Sequence, residues 1–196
     1  MDSNSKLTLS ANPDETSRTV RWAQVDGFGA EHFHLQTTAH GYLAQGAVVG
    51  SRANSAYGVF YSIRISKEWL VQEVEVRETE STSFLHLVHD GQGHWSSPEG
   101  PVPSLDGCID IDIAATPFTN TLPIRRLRLG EGSAQPIRVL YIPVPSLRPL
   151  PIDQRYTCLQ PDQLYRYENL TNGYEAELMV DGEGLVVDYP NAFKRA

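Results

Sequence analysis

The stretch Leu164-Tyr165-Arg166-Tyr167-Glu168-Asn169, Leu170-Thr171-Asn172-Gly173, Tyr174-Glu175-Ala176-Glu177-Leu178-Met179-Val180, Asp181-Gly182-Glu183-Gly184, Leu185-Val186-Val187-Asp188 decides the fold class. Asn172-Gly173 supplies the positive φ of a tight hairpin and the Asp-Gly-Glu-Gly run supplies a second reversal, so three strands follow one another as a meander. In the middle strand Tyr174, Ala176, Leu178 and Val180 share one face while Glu175, Glu177 and Met179 share the other. That alternation belongs to an antiparallel strand with one packed and one wet side.

Upstream, short runs rich in Val, Ile, Tyr and Phe alternate with Gly, Pro and Asn at intervals of about 8 to 12 residues, the pattern of an all-β chain. Strands are expected over 31–37, 42–49, 57–66, 69–77, 84–89, 109–113, 137–142, 155–159, 164–169, 174–180 and 185–188. Val74-Glu75-Val76, then Phe84 to Trp95 with Asp90-Gly91-Gln92-Gly93, parallels the quoted stretch at a constant offset of 91 residues. This predicts two similar meanders side by side in one continuous sheet. Residues 1–18 are polar and carry Asn12-Pro13-Asp14, which reads as a mobile arm before one domain spanning 19–196, with order beginning near Trp22.

A chain of 196 residues, 40% hydrophobic, with 16 Lys and Arg against 24 Asp and Glu, can bury a core and carries a formal net charge of −8. The averaged field repels phosphate backbones, which argues against a nucleic-acid partner. No run approaches the roughly 20 apolar residues of a spanning helix, and the start has no apolar signal-peptide core, so no transmembrane segment and a cytoplasmic location are expected. Two cysteines, Cys108 and Cys158, are too few for a disulfide framework and read as reduced thiols.

The least ordinary segment is Gly107-Cys108-Ile109-Asp110-Ile111-Asp112-Ile113, running through Thr116-Pro117-Phe118-Thr119-Asn120-Thr121-Leu122-Pro123-Ile124-Arg125-Arg126-Leu127. Thr116-Pro117 is a fair N-cap and first-turn pair, and Phe118, Leu122, Ile124 and Leu127 form one apolar stripe. Pro123 limits any helix here to a short or kinked one, or to one that starts at Leu122. Pro161-Asp162-Gln163-Leu164 offers a second helical turn. Strand alternation puts Asp110 and Asp112 on one face and the isoleucines on the other. Two acids seated together raise one another's pKa unless Arg125 or Arg126 neutralises one. They read either as a pocket that accepts hydrogen bonds from sugar hydroxyls or as the wet face of an amphipathic strand, and the second is the commoner case for an isolated D-x-D. Asn120 and the arginines narrow that margin.

His32 and His34 share a strand face, but no further motif supports a metal, and none is expected. Glu31 lies on the opposite face; if that face is interior, the acid needs a partner such as Arg64 or Arg77. Tyr156, Tyr165, Tyr167, Tyr174, Tyr189, Trp69 and Trp95 offer apolar faces with polar tips; a hydroxyl at the rim of an ordinary β core is the commoner case for any single tyrosine, and Tyr165 with Tyr167 is the pair most suited to a sugar or headgroup. There is no G-x-S-x-G, P-loop, G-x-G-x-x-G or H-E-x-x-H, and Cys108 sits in an acidic setting that does not activate a thiol. Asn169-Leu170-Thr171 is a glycosylation sequon only in a secreted protein. No cofactor is expected.

The central block, together with Trp22 and Glu31, Asp90 to Trp95, Gln154-Arg155-Tyr156, Tyr165-Arg166-Tyr167 and the ending Asp181 to Pro190, resembles the glycolipid-binding family, formerly a domain of unknown function. The resemblance implies a many-stranded antiparallel sheet curled as an open barrel around a single helix, a homodimer, and remote likeness to bacterial lipoprotein carriers. It also implies an acidic pocket for a glycolipid or another sugar-containing small molecule, with Asp110 and Asp112 in the pocket, Glu31 beside them and Arg125 fixing the loop. Asn120, Tyr156, Tyr165 and Tyr167 complete the candidate ligand-binding set.

Three readings follow. In the first, the chain is a binding module that holds a glycolipid headgroup on acids and tyrosines. In the second, two of Glu31, Asp110 and Asp112 act on a glycoside across about 5 to 9.5 Å. In the third, the acids only stabilise a loop in a structural dimer.

Overall fold

A computed structural model describes residues 16–52, 55–80 and 82–196. It holds fifteen strands: β1 Ser17–Gln24, β2 Gly29–Thr38, β3 Gly41–Arg52, β4 Ser55–Ser66, β5 Val71–Glu78, β6 Phe84–His89, β7 Trp95–Ser97, β8 Gly100–Pro101, β9 Asp110–Ile113, β10 Ala134–Ile142, β11 Leu150–Gln160, β12 Leu164–Asn169, β13 Glu175–Val180, β14 Val186–Tyr189 and β15 Phe193–Arg195. All belong to one sheet in the order β8-β7-β6-β5-β4-β3-β2-β1-β15-β14-β13-β12-β11-β10-β9, with β8 and β9 as its free edges. Every pairing is antiparallel except β9 with β10, which a helical crossover makes parallel. The open, many-stranded sheet and the one α-helix among the described residues are those the resemblance implies.

Alternation explains most strands. Along β4, Tyr57, Val59, Tyr61, Ile63 and Ile65 are buried while Phe60 and Arg64 are exposed. Four strands were not expected. β7, β8 and β15 are two or three residues long, too short for a period to show, and polar β1 is held by pairing with β2 along its length. The expected arm is therefore corrected at its inner end: Ser17 and Arg18 already pair with Gln36 and Leu35. Residues 1–15 of that arm lie outside the described residues. Pro161–Gln163 forms a turn rather than a helix, with Asp162 at a φ of 57°.

The offset of 91 is accurate in three dimensions. β6 and β13 occupy equivalent residues, and both are followed by the same Asx turn. Asp90 Oδ1 accepts from the amides of Gln92 and His94, and Asp181 Oδ1 accepts from those of Glu183 and Leu185. The two meanders share one sheet but are not adjacent, because β4 to β1 and β15 stand between them.

Between β9 and β10 the chain enters the curl of the sheet. Thr116 caps a 3-10 turn, Pro117–Asn120, by accepting from the Phe118 amide at 3.1 Å, and helix α1, Thr121–Leu127, follows directly. Because the 3-10 turn precedes it, Pro123 falls in the first turn of α1, where its missing N–H costs little. Phe118 stacks on Phe33 with centroids 4.4 Å apart, and Phe33 meets Trp22 at 5.3 Å. Phe118 and Leu122 thus join the larger core under β1–β6, while Ile124 joins a smaller one with Tyr156, Tyr165, Tyr167, Leu178 and Val186.

Candidate functional site

β9 is covered on both faces. Ile111 and Ile113 enter the larger core, while Asp110 and Asp112 face α1 and β11, as the alternation requires. Asp110 is fully buried, which sets aside the wet-strand reading. Both of its oxygens are clasped by one guanidinium, Arg126 Nε to Oδ1 at 2.9 Å and Arg126 NH2 to Oδ2 at 2.5 Å. The arginine that fixes this segment is therefore Arg126 and not Arg125. Arg125, one residue and about 100° earlier on the helix, lies with its guanidinium 5.3 Å from the Trp69 ring centroid.

Asp112 accepts at Oδ2 from Gln154 Nε2, 2.7 Å away, and the same amide nitrogen reaches the Tyr167 hydroxyl at 3.1 Å. Burial pushes the Asp112 carboxyl above the usual range, against the opposing pulls of Gln154 and the Arg52 guanidinium. Asn120 accepts at Oδ1 from the Tyr156 hydroxyl at 2.8 Å and donates to the Pro117 carbonyl.

Glu31 points inward from β2 and is buried. Its Oε1 accepts from the Tyr61 hydroxyl and, at 2.9 Å, from Thr116 Oγ1, while Oε2 has no partner. Burial pushes its pKa up to about 8, against those two hydrogen bonds. The expected partners are corrected: Arg64 and Arg77 project from the outer face, where Arg64 pairs with Glu73 at 2.8 Å and Arg77 lies over Phe84. Tyr61 reaches Glu31 by crossing Gly46, where a Cβ would stand 2.2 Å from the ring, so only glycine fits there. Thr116 joins this group to the helix, since its hydroxyl both donates to Glu31 and caps Phe118.

A cavity of about 440 Å³ opens beside these groups. Asp112, Asn120, Thr116 and Arg52 supply polar lining on one side and Asn169, Thr171 and Asn172 on another, and Tyr141, Tyr167, Tyr174 and Tyr189 form much of its wall. Tyr167, Tyr174 and Tyr189 make a triangle of rings with centroids 6.2 to 6.4 Å apart. Of the predicted residues, Asp112, Asn120 and Tyr167 line this cavity. Tyr156 stands against Tyr167 and Asn120, and Asp110 and Glu31 are held behind it by Arg126 and Thr116. Tyr165 and Arg125 line a different, smaller cavity of about 300 Å³ with Arg128 and Asp162. Sequence reasoning missed Arg52, Tyr141 and the bridging role of Gln154; a buried glutamine on an otherwise apolar strand face was the available signal for the last.

His32 and His34 do face one way, into a groove of about 570 Å³ on the outer face of the sheet with Phe60, Arg77 and Phe84. Among the described residues the one His and acid cluster compact enough for a cation is Glu73, Glu75 and His86, where Arg64 and His86 already engage Glu73. Cys108 and Cys158 are free and buried, and burial pushes the Cys108 thiol up to about 11. No described helix is long and apolar enough to cross a membrane.

A family model described as "Putative glycolipid-binding" matches residues 19–195. The chain belongs to this glycolipid-binding family. The crystal structure of a DUF1089 family protein from Pseudomonas aeruginosa is similar, with 39% identity and a TM-score of 0.77 over 86% of this chain and 92% of that one. No curated protein matches the sequence. Within the central block of this glycolipid-binding family member, Thr116, Asn120 and Arg126 tie the crossover helix to β2, β11 and β9.

Proposed function

We propose that this protein binds the polyhydroxylated headgroup of a glycolipid in the cavity beside Asp112, without transforming it. The observation that carries the reading is the pairing of a tyrosine wall with hydrogen-bonding groups at Asp112 and Asn120, beside apolar Ile113, Leu150, Ile152 and Phe193. Sugars need both surfaces: flat apolar contact for their C–H faces and placed acceptors for their hydroxyls. A cavity of about 440 Å³ suits the headgroup of such a lipid. Its lining holds one carboxylate among the described residues, so the two-carboxylate chemistry of glycoside hydrolysis lacks its second group there. Residues 19–196 act in this reading as one domain, in the cytoplasm and as a homodimer; sedimentation of the purified protein tests the assembly.

The experiment is native mass spectrometry of gently purified protein, followed by organic extraction and identification of the bound molecule. A glycolipid in fixed stoichiometry, lost in Tyr167→Ala with the fold retained, is the expected result. An empty protein that also ignores added glycolipid would move the acids and tyrosines to a purely structural role.

A further inference from the structure

The charges around the cavity are not balanced. Arg126 neutralises Asp110, and Thr116 and Tyr61 enclose Glu31 behind the lining. Asp112 is engaged by the Gln154 amide, and burial favours its neutral form. Arg52, at the end of β3, also lines the cavity, and its field reaches both Asp112 and the Tyr57 phenol. Arg52 is exposed and, like several other arginines, has no carboxylate within ion-pair distance among the described residues, but it alone of the arginines lines this cavity.

An unpaired guanidinium at the rim of a cavity is a fork of N–H donors suited to a phosphate or carboxylate. We infer that the headgroup this cavity takes is anionic, a phosphorylated or uronate polyol whose acidic group sits on Arg52 while its hydroxyls meet Asp112, Asn120 and the tyrosines. The inference rests on the headgroup-binding reading of the same cavity and specifies its substrate class. It also reverses the expected sign of the pocket: the acids that made it look negative in the sequence are spent on internal partners.

The test pairs charged and neutral probes. Titration calorimetry compares glucose 6-phosphate and myo-inositol 1-phosphate with glucose and myo-inositol, alongside inorganic phosphate. Co-sedimentation compares phosphatidylcholine vesicles containing phosphatidylinositol with vesicles containing a neutral galactosyl diglyceride. The charged member of each pair is expected to bind about tenfold or more tightly, with a preference that falls as salt is raised. Arg52→Gln abolishes that preference, at unchanged melting temperature, and Arg52→Lys keeps part of it. Binding by soluble probes alone identifies a free sugar phosphate, and binding by vesicles alone identifies a lipid headgroup; either supports the charge assignment. Equal or stronger binding of the neutral members, or a preference that survives Arg52→Gln, overturns the anionic assignment and leaves headgroup binding standing. Silence of every probe, or inorganic phosphate binding as tightly as the sugar phosphates, overturns both.

Discussion

The two halves of the sheet follow the same plan and finish it differently. In the first, β3 and β4 are each twelve residues long, and on the inner face aliphatic side chains such as Val59, Ile63, Val74, Val76 and Leu87, closing over Trp22 and Phe33, outnumber the phenols of Tyr57 and Tyr61. In the second, β10 and β11, which the offset of 91 places opposite them, are nine and eleven residues long, and the inner face carries Tyr156, Tyr165, Tyr167 and Tyr189. The offset that superposes β6 on β13 carries β2 onto residues 120–129, where the chain is α1 instead of a strand. An aliphatic face can pack dry, whereas phenols bring oxygens that need partners. The tyrosine-rich half therefore keeps a cavity where the aliphatic half keeps a core.

The largest expected effect breaks the element that makes the halves differ. Asp110→Asn leaves Arg126 without its buried counter-charge and should cost roughly 3 to 5 kcal/mol in urea denaturation. Next is Glu31, which joins the β2 of one half to the helix of the other. Its folded pKa, near 8, lies above the 4.5 of a free glutamate. The contribution of this group to stability therefore falls as pH rises from about 4.5 to about 8 and levels off above, a loss of roughly 3 to 5 kcal/mol. Glu31→Gln should flatten that slope, read as melting temperature against pH; an unchanged slope would refute the assignment. Tyr167→Phe tests the wet half alone. It should lose about 1 kcal/mol with the Gln154 hydrogen bond, and with it measurable headgroup affinity. The smallest effect compares the repeated turns: Asp181→Ala should lower the melting temperature more than Asp90→Ala, because the second oxygen of Asp181 pairs with part-buried Arg195 at 2.7 Å whereas that of Asp90 meets the exposed His94.

The fold was legible where a period had room to repeat. β6 and β12 fall on their expected residues, and the Thr116-Pro117 start of the helical segment is where its side chains put it. The seam between β1 and β15 was not legible, because it rests on three residue pairs between the two ends of the described chain. The site was half legible. Asp112, Asn120 and Tyr167 meet as a cavity lining, but whether an acid faces ligand or protein depends on which neighbour reaches it first. Arg125 and Arg126 are equivalent in sequence and divergent on a helix, so the choice between them appears only once α1 is oriented over β9. Arg52 carries no local pattern at all and gains its meaning from the acids around it being occupied.

The seam has a consequence for how the protein is made. The Trp22 indole donates to the Val186 carbonyl, 164 residues further along, and Trp22 itself pairs with Arg195. While the chain is being synthesised, β1 through β6 can assemble by hairpins, but the far side of β1 stays an unpaired edge until β15 has left the ribosome. The middle of the finished sheet is thus its last part to close. Until then, the vulnerable surface of the nascent chain is its first strand, open to pairing with a second copy.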